Sequence, residues 1–211
     1  MIGIYVLATA ALVIFGAASW SFTEYLMHRF VMHELKGKGL ASREHLRHHA
    51  ERDSVLESWY FAWTGVLLVG AALGFLVTLG VGAIGWAYSV GWVAAYGAYD
   101  WLHYRAHRRP IRNPYERWLR RHHFYHHFGH PMTNHGVTSP FWDMVFGTYV
   151  RVDGPIRVPR RMAMRWLTGP DGEVLAEYAD DYVLAGRKLY DDPQAAEDRE
   201  RAFANLAPLA D

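Results

Sequence analysis

The chain has 211 residues, enough for one domain, with a net charge of +1 at pH 7 and no cysteine. The lack of cysteine excludes disulfides, thiolate metal sites, iron–sulfur clusters and cysteine nucleophiles. A charge balance so close to zero gives no reason to expect nucleic acid as a partner.

Two uncharged segments predict helices that cross a membrane. No charged side chain occurs from Met1 to Thr23, and none occurs in the 42 residues from Ser58 to Tyr99. One crossing needs about 20 apolar residues, so the second segment is long enough for two crossings. Glycines near its middle mark the turn between them: Gly80, Gly82 and Gly85. The alternatives are a buried core helix and, for the first segment, a cleaved signal peptide.

Lysine and arginine cluster at two places beside these segments. Five lie between Glu34 and Asp53, and seven lie between Tyr104 and His122. The positive-inside rule places both clusters in the cytoplasm, where they meet anionic headgroups. We therefore predict an all-α integral membrane protein, with about three transmembrane helices and a cytoplasmic cap of histidine-rich helices.

The predicted elements follow in chain order. A helix over 1–33 crosses the membrane and continues past it, a loop or short helix occupies 34–56, and a helical hairpin occupies 57–107. The second cytoplasmic segment, 108–150, is broken by Pro110, Pro114, Pro131 and Pro140. We divide the chain into a membrane-embedded domain at 1–150 and a C-terminal interfacial or soluble helical extension at 151–211.

The extension mixes two patterns. Arginines alternate with large apolar residues over 155–167, which favours a helix lying in the membrane interface or, equally, a plain surface helix. The segment 172–211 is polar and acidic, with helical patterning from Val174 to Tyr190. It carries no recognisable chemistry.

The thirteen histidines are the main functional signal. Ten of them form four groups at the predicted cytoplasmic ends of the helices: His28 and His33 (HX4H), His45, His48 and His49 (HX2HH), His103 and His107 (HX3H), and His123, His126 and His127 (HX2HH). Because helical residues i, i+3 and i+4 share a face, we expect each HX2HH group and the HX3H pair to point at one place. The HX4H pair fits less well, since five residues turn about 140° away from one face. Either those two serve different metals or the helix end unwinds near Glu34.

Ten imidazoles are too many for one ion, but two ions with four or five ligands each would use them all. Imidazole suits iron, zinc, copper and nickel, so the ligands leave the metal open. A lone histidine is most often a surface group that titrates near neutrality. Three histidines lie outside the four groups. His122 is an alternative to His123 as a ligand, and His135 is a candidate to lie near metal or substrate. His130 is interpreted as a surface residue.

Three stretches resemble the fatty acid hydroxylase/sterol desaturase superfamily. They are Glu24-Tyr-Leu-Met-His-Arg-Phe-Val-Met-His33, Tyr99-Asp-Trp-Leu-His-Tyr-Arg-Ala-His107 and Gly136-Val-Thr-Ser-Pro-Phe-Trp-Asp-Met-Val-Phe-Gly-Thr148. They look like the family's first and third histidine boxes and the segment that closes its catalytic domain, and the likeness covers about residues 15–150. The resemblance implies two iron ions bound by the ten boxed histidines, with zinc able to substitute in a purified sample.

The resemblance also implies an O2-dependent oxidoreductase that acts on a lipid C–H bond. We expect hydroxylation of a fatty acyl chain first. A lipid or sterol desaturase and a carotenoid ring hydroxylase are alternatives, and the short stretch between His33 and His45 is like that of the carotenoid enzymes. No fused cytochrome b5-like domain is evident, so a separate carrier of the ferredoxin or cytochrome b5 type is expected to supply electrons.

Two further expectations concern location and competing functions. No N-glycosylation sequon or ER-retention tail is present, which favours a bacterial inner membrane. A histidine-rich metal transporter is the alternative of a different class, but transport favours ligands at mid-membrane, where this sequence has none.

Two carboxylates are candidates to orient metal-binding rings. A metal-bound imidazole usually donates its other N–H to a carboxylate or carbonyl. Asp100 lies one turn before His103, and Glu24 lies one turn before His28. The alternative for each is a charge solvated at a helix end. A third carboxylate, Asp143, is expected to cap a local turn.

Overall fold

The computed structural model describes residues 2–51 and 59–185. The described chain is mostly helical, as predicted. Its helices are α1 (Ile2–Leu26), a π-helix (Met27–Glu34), α2 (Leu40–Ala50), α3 (Trp59–Val81), α4 (Trp86–Arg108), α5 (Pro114–Phe128) and α6 (Phe141–Val145). Contacts divide these residues into two compact units, one formed by 2–24 and 59–102 and the other by 25–51 and 103–185. The predicted domain boundary at residue 150 stays a prediction.

The first unit contains the apolar helices. The stretches Ile2–Glu34 and Tyr60–Arg108 are long and apolar enough to be candidate membrane spans. Only 6% and 11% of their most apolar windows are buried. The core helix of a soluble protein would be mostly buried, so this exposure favours helices surrounded by lipid. The number of crossings stays a prediction.

The second apolar stretch is a helical hairpin, as predicted. Gly82–Gly85 form a 3-10 turn between α3 and α4, and Gly82 has a φ of +76°, which favours glycine. The helices pack antiparallel: the Ser89 hydroxyl donates to the Gly70 carbonyl at 2.6 Å, and the rings of Trp63 and Tyr96 lie 4.7 Å apart.

Helices α1 and α4 approach each other through glycine. A Cβ added at Gly16 would lie 2.0 Å from the Tyr88 carbonyl oxygen, and one at Gly91 would lie 2.0 Å from the Val13 carbonyl oxygen. Such contacts exclude any larger side chain, so the two glycines set the distance between the helix axes. Beside them, an aromatic core forms around Trp20, with Trp92 and Tyr96 at ring distances of 5.0 and 4.9 Å.

The second unit is organised around α5. Asn113 caps this helix, since its side chain accepts from the Glu116 amide, and Pro114 occupies the first turn, where its missing N–H costs nothing. Glu116 accepts two hydrogen bonds from Arg105 of α4, at 3.1 and 3.0 Å, and both side chains are buried. Arg120 adds bonds to Glu116 and to the Arg105 carbonyl. This network joins the end of α4 to α5.

The C-terminal part is not helical where it is described, so the all-α prediction is wrong there. Instead of a helix over 155–167, Ile156–Pro159 form strand β1, followed by a 3-10 turn at Arg160–Met162. β1 pairs in parallel with β2, Tyr182–Ala185, in the register Ile156 with Tyr182.

Two features of the sequence explain the strand. Prolines at 155 and 159 disfavour a helix, and burial alternates along β1 with Ile156 and Val158 inside. The helical prediction from Val174 fails for the same region, which holds only a 3-10 turn, Ala176–Tyr178, before β2. Residues 186–190 of that prediction lie outside the described residues.

Candidate metal centre

The second unit gathers ten histidines into two groups of five. Group one consists of His28, His33, His45, His49 and His126, and group two consists of His48, His103, His107, His123 and His127. Within each group, one ring nitrogen from every residue lies within 4.8 Å of the others. These are the ten histidines that the sequence singled out, and the remaining three lie outside both groups.

Each HX2HH sequence is divided between the groups, so the prediction that each points at one place is wrong. On α2, His45 and His49 belong to group one while His48 belongs to group two. On α5, His123 and His127 belong to group two while His126 belongs to group one. Neighbouring helical residues point about 100° apart, so two adjacent histidines cannot meet at one ion. Residues four apart share a face, which is how the HX3H pair on α4 enters group two as predicted.

The π-helix explains how the HX4H pair meets. His28 and His33 lie in Met27–Glu34, whose wider i→i+5 turn brings residues five apart much closer to one face than an α-helix does. Both therefore reach group one, and the two-metal alternative for this pair is wrong. Arg29 and Glu34, also five apart, form an ion pair at 3.3 Å. The helix end widens rather than unwinds.

Several ring nitrogens converge on His45. Its Nε2 lies 3.0 Å from Nε2 of His28, 2.9 Å from that of His33 and 3.0 Å from that of His49. A neutral imidazole nitrogen either donates one proton or accepts at one lone pair, so it cannot hydrogen-bond to three others. Converging lone pairs need a cation between them.

The spacing of the nitrogens fits such a cation. Ligands on neighbouring octahedral positions would lie about 3.0 Å apart for a metal–nitrogen bond of about 2.1 Å, whereas tetrahedral ligands would lie about 3.4 Å apart. In group one the Nε2 atoms of contacting pairs lie 2.9 to 3.0 Å apart, including His33 to His126 at 3.0 Å. In group two the separations are 3.1 Å for His48 to His103 and 2.9 Å for His107 to His123. The donor set therefore suits a metal with five or six ligands.

The groups are neighbours. The rings of His49 in group one and His127 in group two stack at 4.0 Å, with 8° between their planes. Other pairs across the two groups lie at 5.9 Å, for His45 and His48, and 6.2 Å, for His123 and His126. Two ions held in these groups would therefore be close neighbours.

Burial keeps these rings neutral. Desolvation, followed by the charges of neighbouring imidazoles, lowers the pKa of His45, His49 and His126 well below 6.5. The same cause lowers the pKa of His123 and His127. Neutral imidazole is the form that binds a metal, so both groups are prepared for ions at neutral pH.

Two rings of group one are oriented by backbone carbonyls. The Nδ1–H of His126 donates to the Thr133 carbonyl at 2.8 Å, and the Nδ1–H of His28 donates to the His135 carbonyl. Since a carbonyl only accepts, each proton sits on Nδ1 and the Nε2 lone pair faces the group. No sequence pattern indicates these partners, because a backbone carbonyl belongs to every residue type.

Asp143 is fully buried and holds the loop that carries these carbonyls. Its oxygens accept from the amides of His135 and Gly136, both at 2.8 Å, and from the Thr148 hydroxyl at 2.7 Å. Burial alone would raise the pKa of Asp143, but the nearby His122 and these hydrogen bonds lower it below its ordinary value. The carboxylate is therefore charged at neutral pH.

The two carboxylates predicted to orient metal-binding rings are Asp100 and Glu24. Asp100 accepts from the Trp63 indole at 3.1 Å, and Glu24 is buried. Their action on metal-binding rings stays a prediction. Among the ungrouped histidines, His130 accepts from the Met132 amide. His135 is fully buried, with its ring 5.4 Å from that of His126, and burial lowers its pKa to about 3.

A family model described as fatty acid hydroxylase matches residues 13–148 of the chain. The chain belongs to the fatty acid hydroxylase family. The match contains all ten grouped histidines together with Asp143, which agrees with the resemblance carried by the three sequence stretches.

Relatives of this fatty acid hydroxylase chain include two proteins at 30% identity. One is the ceramide very long chain fatty acid hydroxylase of Saccharomyces cerevisiae, matched over 67% of this chain and 38% of that protein. The other is a dihydroceramide fatty acyl 2-hydroxylase of Arabidopsis thaliana, matched over 65% of this chain and 60% of that protein. The chain thus spans less than two thirds of the length of these relatives.

A solved structure is also similar. Full-length scs7p, of which only the hydroxylase domain is visible, matches with a TM-score of 0.53 and 26% identity. The match covers 73% of this chain and 62% of the scs7p chain. The similarity supports the same fold for the hydroxylase region.

Proposed function

We propose that this chain is a membrane-bound di-iron oxygenase that hydroxylates a fatty acyl chain. The observation that carries the proposal is the convergence of imidazole nitrogens in two adjacent groups, with three neighbours around Nε2 of His45. No arrangement of protons satisfies that convergence, whereas a cation in each group does.

The chain would hold one ion in group one and one in group two. Bound iron would supply O2 activation and so allow an unactivated lipid C–H bond to be broken. The protein holds the imidazoles neutral by burial and fixes the tautomers of His28 and His126 through backbone carbonyls. These features give each ion a set of ligands that is in place before it binds.

Iron fits the donor set better than structural zinc does. Structural zinc is almost always tetrahedral with four ligands, whereas each group offers five nitrogens, and contacting pairs lie 2.9 to 3.1 Å apart. The high ligand number also argues against transport, because an ion held by five buried imidazoles would leave slowly. Zinc is still expected to occupy the groups in a purified sample, since it competes well with ferrous iron for nitrogen ligands.

The substrate class rests on the relatives. Their names describe hydroxylases of ceramide fatty acids and of dihydroceramide fatty acyl groups at position 2. We infer a membrane lipid with a fatty acyl chain as the substrate and a 2-hydroxy acyl group as the product. Desaturation of the same chain and hydroxylation of a carotenoid ring remain the alternatives within the family.

The remaining features concern the membrane and the electrons. We propose a multi-pass protein of a bacterial inner membrane with its histidine groups on the cytoplasmic side, as the clusters of lysine and arginine indicate. Electrons would come from a separate ferredoxin-type or cytochrome b5-type protein, since hydroxylation with O2 consumes two electrons that a lipid C–H bond does not supply alone.

Lipid profiling tests the proposed function. Cells that express the wild type are expected to accumulate a 2-hydroxy fatty acyl lipid, and cells with His126→Ala are expected to lack it. His130→Ala is the matched control, because His130 lies outside both groups on the turn after α5. A new alkene instead of the alcohol would favour desaturation. A product that persists in His126→Ala at wild-type amount would contradict the proposal.

A further inference from the structure

Asp143 of α6 contacts the loop that lies behind two rings of group one. This carboxylate has no exposed surface and binds two consecutive backbone amides, those of His135 and Gly136. It also accepts from the Thr148 hydroxyl. This side chain thus holds one side of the loop formed by residues 133–136.

That loop points two carbonyls at group one. The Thr133 carbonyl accepts from Nδ1 of His126, and the His135 carbonyl accepts from Nδ1 of His28. The two histidines come from α5 and the π-helix, which are distant in sequence. One short loop therefore sets the ring orientation of two of the five nitrogen donors in the same group.

Asn134 also shapes the loop. Its φ of +56° lies in the left-handed region, which asparagine adopts more often than most residues with a side chain. Its side chain also ties the loop to Val150, accepting from the amide at 2.7 Å and donating to the carbonyl at 3.0 Å. A Cβ at Gly136 would lie 2.2 Å from the Ser139 carbonyl oxygen and 3.0 Å from Asp143, so only glycine fits there. The loop is held from two sides, by Asp143 and by Asn134.

Two rings of group two lack such a partner in the described part of the chain. Within residues 2–51 and 59–185, Nδ1 of His48 and Nδ1 of His123 find no hydrogen-bond partner. Both rings belong to group two. The carbonyl pair that orients His28 and His126 therefore acts on one group.

We propose that Asp143 is a positioning residue specific to group one. By ordering the loop at 133–136, it aims the Nε2 lone pairs of His28 and His126 at the ion, and the two metal sites are consequently inequivalent. The proposal rests on the binding of two ions proposed above. Loss of a group that orients metal ligands typically lowers metal affinity about 10- to 100-fold.

Metal titration separates this role from a general structural one. Metal-free wild-type protein and Asp143→Asn are titrated with Co²⁺ under anaerobic conditions, and visible absorption follows each site. We expect two tight sites in the wild type. In Asp143→Asn we expect one unchanged site and one weakened about 10- to 100-fold, with an altered absorption band for the weakened site.

A second variant and a control complete the experiment. Asn134→Gly keeps the left-handed backbone but removes the bonds to Val150, so it should weaken the same single site even if Asp143→Asn fails to fold. Asp171→Asn is the matched control, because Asp171 also accepts from a backbone amide, that of Glu173, in a turn away from both groups. It should leave both affinities unchanged.

The outcomes are distinct. The positioning role would be overturned if Asp143→Asn and Asn134→Gly both kept wild-type affinity at both sites. Equal weakening of both sites would overturn it too. The proposed oxygenase function would stand in either case. A wild-type protein that binds fewer than two ions would contradict the proposed function itself.

Discussion

Each imidazole in the two groups has one ring nitrogen that faces the metal site and one that faces the rest of the protein. A hydrogen bond at the second nitrogen fixes the direction in which the first nitrogen points. In group one, His28 and His126 have carbonyl partners for Nδ1. Nδ1 of His33 and His49 finds no partner among residues 2–51 and 59–185. Orientation at the residue scale is therefore shared between backbone carbonyls, packing and the metal itself.

Removal of the Glu116 carboxylate should cost much of the fold's stability. It neutralises two buried arginines, Arg105 and Arg120, and Arg120 also stacks on Trp166 at 4.8 Å. Glu116→Gln leaves uncompensated buried charge, which is expected to destabilise the fold by about 3–5 kcal/mol. Thermal melting in detergent would measure the loss.

An exposed ion pair provides the control for this variant. Arg160 and Glu173 pair at 2.7 Å with 44% and 60% of their side chains exposed. Because solvent screens such a pair, Glu173→Gln should cost less than about 1 kcal/mol. Similar melting temperatures for the two variants would contradict the importance assigned to the buried network.

At the scale of elements, the π-helix makes the clearest prediction. In the double variant Val31→His/His33→Val, the two histidines of this segment are three residues apart instead of five. A π-helix then turns the second imidazole away from group one, so metal content should fall from two ions per chain towards one. Atomic emission analysis of the purified variant measures this. Unchanged metal content would mean that the segment is an ordinary α-helix, where residues three apart share a face.

The contact between α1 and α4 makes a second prediction. Gly91→Ala places a methyl group 2.0 Å from the Val13 carbonyl oxygen, so the helices must separate. Overpacking of this kind costs about 1–3 kcal/mol. Gly65→Ala is the matched control, because no other segment among residues 2–51 and 59–185 lies within 4 Å of its Cβ position. Melting temperatures that do not differ between the variants would argue against close packing of α1 and α4.

The elements also differ in how far the sequence predicts them. Long uncharged segments and the central glycines predict α1 and the hairpin, because a lipid environment demands apolar helices and a turn demands backbone freedom. The strand at Ile156–Pro159 is not predictable in this way, since its four residues are too short to display a period and its partner, β2, lies far along the chain. The π-helix also escapes prediction, because no local pattern in Met27–Glu34 distinguishes i→i+5 from i→i+4 hydrogen bonding.

The ten candidate ligands were predictable because histidines rarely recur at helical spacing in several segments unless they bind a metal. Their division into groups was not predictable, since it depends on how α2, α5 and the π-helix meet in space. For Asp143 the sequence predicts only the cap of a local turn. The metal-binding rings that this turn orients are contacted through two backbone carbonyls. Backbone carbonyls cannot be recognised from residue type.

At the scale of the whole molecule, the buried imidazoles couple stability to pH. The pKa of His45, His49 and His126 is far lower in the folded protein than the value near 6.5 of an unfolded chain. Below about pH 6.5 the unfolded state therefore binds more protons, so the free energy of unfolding decreases as pH falls. The melting temperature of the metal-free protein should be constant above about pH 7.5 and should decrease steadily below about pH 6.5.

Added metal and a control variant provide two further tests of this pH dependence. Ions that bind the folded groups should raise the melting temperature at neutral pH, because they bind the native state alone. His130→Ala should show the wild-type pH profile, since His130 lies outside both groups. A melting temperature that is the same from about pH 7.5 to about pH 5.5 would mean that the rings are not buried in neutral form.

The account depends most on the number of ions that the two groups hold. Metal-free protein, equilibrated anaerobically with Fe²⁺ and freed of unbound metal, can be assayed for iron per chain. Two irons per chain are predicted, and one or fewer in a folded protein would contradict the assignment of five imidazoles to each of two ions.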